Sequence, residues 1–241
     1  MDRSIISKTI ILILTGLLLL SACLWVIYMR HKEHFAMEPA VVSEKVTASW
    51  PIAGGDSQLT GFTMQIPANP KVLWRYRAGA GVNAGPVSDN GRLFFGDNEK
   101  TFYCLDLNTG RLIWKTEIPG GVTASALLLD GLCYFGSSEG VFYAVSVKDG
   151  SIIWTFNIKE QINGSANSFT IADKHYIVFG GYDFKLHCLQ AKTGSEVWTI
   201  STANYINGAP AISNGKIIFG GCDGFLRFVD AATGNESGKI K

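Results

Sequence analysis

The chain has 241 residues, a formal net charge of +1, and 47% hydrophobic, 12% aromatic and 17% charged side chains. These proportions exclude a disordered chain and leave room for one large domain or two small ones. No run of five like charges occurs, so a nucleic-acid partner is not expected.

The first element is apolar. Residues 9–29 carry no charge. At about 1.5 Å per residue a helix of that length reaches about 30 Å, the apolar thickness of a bilayer. Residues 1–30 therefore read as a transmembrane anchor, with Trp25 and Tyr28 near its distal interface. Arg3 and Lys8 precede the span and Arg30 and Lys32 follow it, so charge does not orient it. A second reading competes: "LSAC", ending at Cys23, looks like a bacterial lipobox with Cys23 as the lipidated residue. Either reading places the remainder in the periplasm or outside the cell. Residues 31–70 read as a linker, and the pair His31 and His34 within it is too sparse for a metal site.

From residue 71 the sequence repeats. A glycine ends an apolar stretch at Gly96, Gly136, Gly180 and Gly220, and a turn glycine recurs at Gly110, Gly150, Gly194 and Gly234. Both series step by 40, 44 and 40 residues. A polar series, Asn83, Thr123, Asn163 and Asn207, steps by 40, 40 and 44. Four extra residues are thereby confined between Asn163 and Gly180, as a surface loop would tolerate. The units run at about 83–118, 123–158, 163–202 and 207–241. Each reads as four short strands; in the first these are about 85–88, 92–95, 101–106 and 111–116. No stretch after residue 70 sustains a helical period. Four-stranded units of ~40–45 residues predict an all-β propeller with about four blades present, a partial ring.

Trp114, Trp154 and Trp198 each follow the turn glycine by four positions, on the outermost strand. Their recurrence predicts a structural role, filling the wedge between blades, because a ligand site occurs once and not in every unit. Trp74, in "KVLWRYR", is a further copy without preceding strands, and Gly238 stands where a fourth tryptophan belongs.

The D-x-x-TG-x-x-x-W pattern of "DLNTGRLIW" resembles the tryptophan-docking repeat of PQQ-type β-propellers. "WPIAGGDSQLTGF", at 50–62, resembles the segment that precedes their first blade. Ser146 and Gln190 depart from the pattern where Asp106 and Asp230 keep its acid. The resemblance covers residues 50–241 and implies fold more than function. Its family holds quinoprotein dehydrogenases and non-catalytic envelope scaffolds of the BamB type. The dehydrogenases carry a vicinal cysteine pair and a Glu/Asn/Asp calcium set. No two cysteines here are adjacent, so no catalytic, cofactor-binding or metal-binding residue is assigned. PQQ and calcium enter only as what the resemblance implies. Cys104, Cys133 and Cys188 read as buried strand thiols and Cys222 as a turn residue, none bridged; His175 and His187 lie in different strands with no partner motif.

The candidate partner face comes from two series. Glu99, Glu139, Asp183 and Asp223 each fall three residues after a strand glycine, in the loop between strands two and three. That loop shares a face with the connection entering strand one, which carries Asn83, Thr123, Asn163 and Asn207. Turn chemistry is one reading of these residues; a partner surface at the channel mouth is the other. The expected function is a membrane-tethered, BamB-like scaffold that binds a protein partner in the bacterial envelope. A quinoprotein dehydrogenase fragment and an extracytoplasmic sensor are the alternatives. Three closures remain open: a longer propeller, assembly between chains, or a four-bladed ring in which the Trp74 strand completes unit four.

Overall fold

The computed structural model describes residues 49–62 and 69–241. The apolar span 9–29, Cys23 and much of the linker lie outside the described residues. Among the described residues no helix is long and apolar enough to cross a membrane.

Sixteen strands build four sheets of four. Unit one holds β1 (Val87–Asp89), β2 (Arg92–Gly96), β3 (Thr101–Asp106) and β4 (Leu112–Glu117). Unit two holds β5 (Leu127–Leu129), β6 (Leu132–Gly136), β7 (Val141–Ser146) and β8 (Ile152–Asn157). Unit three holds β9 (Asn167–Ile171), β10 (Lys174–Gly180), β11 (Lys185–Gln190) and β12 (Glu196–Ser201). Unit four holds β13 (Ala211–Ser213), β14 (Lys216–Gly220), β15 (Leu226–Asp230) and β16 (Glu236–Ile240). Every sheet is an antiparallel meander in sequence order, which is the blade that the repeat predicts. The third strands β3 and β7 are covered on both faces and read as near-continuous apolar runs, whereas β14 and β15 of unit four alternate buried with part-exposed residues. The fourth strands expose every second residue.

The first hairpin of units one, two and four turns on Asn90-Gly91, Asp130-Gly131 and Asn214-Gly215, with positive φ at both positions. That is the turn whose twist matches a two-residue hairpin. Unit three turns on Ala172 and Asp173, both left-handed without a glycine. The insertion expected between Asn163 and Gly180 falls in this hairpin. The four extra residues lengthen β9 and β10 to five and seven residues, from three and five in the other units, and stay paired to the turn.

The joints between blades repeat as faithfully as the strands. Each tryptophan reaches forward to the next unit's turn. The indole N–H of Trp74 donates to Leu107 O (2.9 Å), that of Trp114 to Val147 O (3.0 Å), Trp154 to Ala191 O (3.0 Å) and Trp198 to Ala231 O (3.2 Å). The ring lies flat on the turn glycine: a Cβ on Gly110 or Gly194 would sit 2.6 Å from Trp74 or Trp154, and φ is positive at both. Inside the joint, Phe102 stacks on Phe135 (4.0 Å) and Phe142 on Phe179 (4.1 Å). Gly238 pairs with Phe228, whereas Trp114, Trp154 and Trp198 pair with the smaller Cys104, Ala144 and Cys188. Unit four thus keeps one aromatic per pair but moves it to the inner strand.

Residues 50–58 run along the first, innermost strands of all four units. Trp50 bridges Ser88 of β1, Pro51 O accepts from Leu128 N of β5, and Ser57 O accepts from the Asn167 side chain of β9 and Ile212 N of β13. Ile52 is buried among Leu127, Tyr134 and Ala166. The segment covers edges that an isolated inner strand would leave unpaired.

Among the described residues, no further sheet covers the outer faces of units one and four. Val122, Ile162 and Ile206 fill the space over Gly96, Gly136 and Gly180, but nothing lies within 4 Å of a Cβ placed on Gly220. At the other end Val82, the matching knob, is 43% exposed and lines a groove of about 600 Å³ with Tyr76, Leu93 and Phe95. Trp74 docks on unit one from a segment outside the four sheets, and unit four has its own β16. The Trp74 strand therefore does not complete unit four, and the four-bladed closure by that strand is not the one adopted.

Candidate functional site

Antiparallel meanders give the disc two faces. The first hairpin turns and the Thr-Gly turns share one, the turn face. The loops between second and third strands share the other with the connections between units, and both polar series lie on this loop face.

The structure joins part of the first series. Thr123 Oγ1 donates to Asn163 Oδ1 at 2.9 Å, linking the connections into units two and three. The Asn163 amide donates to Gln161 (3.2 Å), and Asn207 is exposed with its amide 3.7 Å from Cys222 Sγ. Asn83 is exposed at the unit-one end.

The acidic series divides in two. Glu99 and Glu139 point to solvent. In unit one Asp97 takes the loop-closing role instead. It accepts the amides of Glu99, Lys100 and Thr101 and the Tyr103 hydroxyl (2.8 Å). Burial pushes its carboxyl up, but those hydrogen bonds outweigh burial and hold it below its usual range. Asp183 and Asp223 turn inward. Asp223 receives both guanidinium nitrogens of Arg227, whose Nε also lies 3.2 Å from Glu196's counterpart, Glu236. Arg227's hydrogen bonds hold the Asp223 carboxyl well below the usual carboxylate range, against the opposing effect of burial. Unit three repeats the arrangement with histidine. His187, 4% exposed, has Nε2 at 2.9 Å from Asp183 and Nδ1 at 2.8 Å from Glu196, and its ring stacks on Phe179. The ring thus bridges the loop aspartate and the fourth-strand glutamate. Sequence reading missed this cluster because its partners sit at i−4 and i+9, across a loop and a strand pair. The signal was available as the 40-residue offset from Asp183, His187 and Glu196 to Asp223, Arg227 and Glu236.

A second feature was also missed. Tyr182 stacks on Tyr205 at 4.4 Å, and Phe184 meets Tyr205 edge-on at 5.1 Å. Phe184 and Tyr205 are each 40% exposed. They flank Asp183 and Asn207 on the loop face, where other units carry Asn98, Ser138, Lys100, Gly140, Gly121 and Gln161.

Chemistry is thinly provided for. Burial pushes the Cys104 and Cys188 thiols up to about 12 and holds the Cys133 thiol well above its usual range, so none is a nucleophile near neutral pH. Among the described residues no three His, Cys, Asp or Glu side chains converge to hold a metal ion. On the turn face a cleft of about 590 Å³ separates units two and three, lined by Asp130, Tyr134, Asp173, His175 and Lys192. The lengthened hairpin forms one wall, with His175 Nε2 3.4 Å from Asp130.

The family described as outer membrane protein assembly factor BamB matches residues 66–181 and again 144–237. The chain belongs to that family. Its structure is similar to BamB from Moraxella catarrhalis, with TM-score 0.61 and 20% identity, over 70% of this chain and 56% of that one. It is also similar to quinohemoprotein alcohol dehydrogenase from Comamonas testosteroni, with TM-score 0.69 and 16% identity, over 86% of this chain and 43% of that one. The computationally designed Ika4 protein matches at TM-score 0.55 and 15% identity, over 63% of this chain and 92% of its own. The chain thus spans about half the length of the two natural structures. At these identities the likeness is one of fold. No curated protein matches the sequence.

Proposed function

We propose that this chain is a non-catalytic scaffold of the bacterial envelope. It is tethered by residues 9–29, or by lipid at Cys23, and engages a protein partner through its loop face. The observation that carries this reading is the division of labour on that face. Short loops are pinned to one another by hydrogen bonds such as Thr123–Asn163, while Asn83, Glu99, Glu139 and Asn207 remain exposed on the frame. A rigid scaffold presenting variable exposed residues is what partner binding needs. Family membership supports a role in protein assembly at the outer membrane.

Photo-crosslinkers placed singly at Asn83, Glu99, Glu139 and Asn207 test the proposal in intact cells. Adducts to one protein should form from these positions and not from Lys148, Lys192 or Ala232 on the turn face. Adducts from the turn face alone would reverse the assignment. The oxidoreductase alternative rests on the fold it shares with the alcohol dehydrogenase. Adding PQQ and calcium to the purified chain should leave no bound chromophore; a stoichiometric one would restore that alternative.

A further inference from the structure

Repeats separate scaffold from site. A residue that recurs in every unit holds the blade; an exposed residue that breaks the repeat is free to serve something else. Across the joint between units three and four, three positions break it together, two of them exposed and Tyr182 half-buried. Tyr182 and Tyr205 replace the Asn98–Gly121 and Ser138–Gln161 pairs of the earlier joints. Phe184 stands where units two and four have Gly140 and Gly224. All three of those residues share one backbone conformation: φ is +78° at Gly140, +80° at Gly224 and +67° at Phe184. A bulky side chain in the left-handed region is disfavoured, so local folding does not account for the phenylalanine.

The aromatics are held in place before anything binds. Phe184 O accepts from both Thr202 N (2.7 Å) and Thr202 Oγ1 (2.9 Å). Tyr182 N donates to Gln161 O (2.9 Å), and Tyr205 O accepts from Cys222 N (2.8 Å). Little ordering remains to be lost on association, the property that distinguishes aromatic anchors of interfaces. The surrounding charge selects the occupant. The nearest acids are engaged within the protein, Asp183 by a hydrogen bond with His187 and Asp223 by its ion pair with Arg227. The Asn204 and Asn207 amides complete a surface of tyrosine and asparagine, the composition of protein-binding loops.

We infer that Tyr182, Phe184 and Tyr205 form the anchor of the protein-binding loop face and take an uncharged segment of the partner that carries aromatic or aliphatic side chains. This rests on the loop face being the partner face and adds where and what it binds.

The test uses the full-length chain in detergent and immobilised synthetic peptides. One set alternates Phe, Leu, Tyr or Val with Ser, Thr, Asn or Gln; acidic and basic versions of the same peptides serve as controls, and chitohexaose is the sugar probe. The neutral set should bind best. Tyr205→Ala and Phe184→Gly should each weaken binding about tenfold or more. Phe184→Gly also restores the residue that its backbone prefers, so the melting temperature should hold or rise while binding falls. Unfolding therefore cannot explain that loss. The inference is overturned if the neutral set does not bind, if the charged sets or chitohexaose bind better, or if both variants bind as the parent does. If binding instead falls with changes at Asn83, Glu99 and Glu139, the loop face stands and the aromatic anchor fails. If no change on the loop face matters, both fail.

Discussion

Each docking tryptophan is paired with a glycine 36 or 40 residues onward, and the pair is one structural device. The indole contributes buried area and one hydrogen bond, and the glycine contributes the absence of a side chain. Trp114→Ala should cost about 3–5 kcal/mol, read as a lower urea midpoint. Trp114→Phe should cost less, losing the Val147 carbonyl partner at about 1 kcal/mol plus some area. The strand glycines allow a sharper comparison. A Cβ on Gly180 would lie 2.1 Å from Ile206 Cγ2, whereas one on Gly220 meets nothing within 4 Å. Gly180→Ala should therefore destabilise by about 1–3 kcal/mol, and Gly220→Ala should stay within about 0.5 kcal/mol of the parent. Equal effects would mean that something covers the unit-four face in solution.

At the scale of the strand pair, units three and four bridge the same two carboxylate positions with different side chains. His187 and Arg227 each sit between a loop aspartate and a glutamate of the fourth strand. His187→Leu should cost about 1–3 kcal/mol because two carboxylates lose their partner, while His187→Arg, copying unit four, should recover most of it in thermal melts. Acid should act on unit four through Asp223. Its folded carboxyl is held below the usual range, so the unfolded chain takes up the proton first as pH falls. The stabilisation is fully present above about pH 5 and is lost progressively below about pH 4. Melting temperatures from pH 7 to pH 3 should fall less steeply in Asp223→Asn, from a lower starting value.

At the scale of the whole molecule, the blades are tied twice: by tryptophans near the rim and by residues 50–58 along the inner strands. The second tie is not a repeat. One segment contacts the first strand of every unit. Ile52→Asp would place a charge in a site that is 3% exposed. It should speed hydrogen exchange at Leu128 and Ile212, whose amides bond to Pro51 and Ser57, more than at Tyr103 in the middle of β3. Uniform acceleration would instead mean that the tie holds the entire fold. Among the described residues, the outer faces of units one and four carry complementary halves of the internal joint, Val82 as knob and Gly220 as socket.

The sequence by itself determined the blade. Gly96, Gly110 and Trp114 recur at fixed offsets, and strand order, turn positions and the chain's all-β character follow from those offsets alone. Periodicity is readable because each joint repeats the same contacts, so successive units need the same residues. What departs from the period was legible only in part. Gly238 stood out as a gap, but that Phe228 supplies its aromatic needed the pairing across β15 and β16. The inner tie, the carboxylate partners of His187 and the Tyr182–Phe184–Tyr205 cluster were decided by the tertiary structure. Each joins residues from separate loops or strands, and only the packing of one unit on the next fixes which side chains meet. Single occurrences leave no period to read, and a binding surface is made of single occurrences.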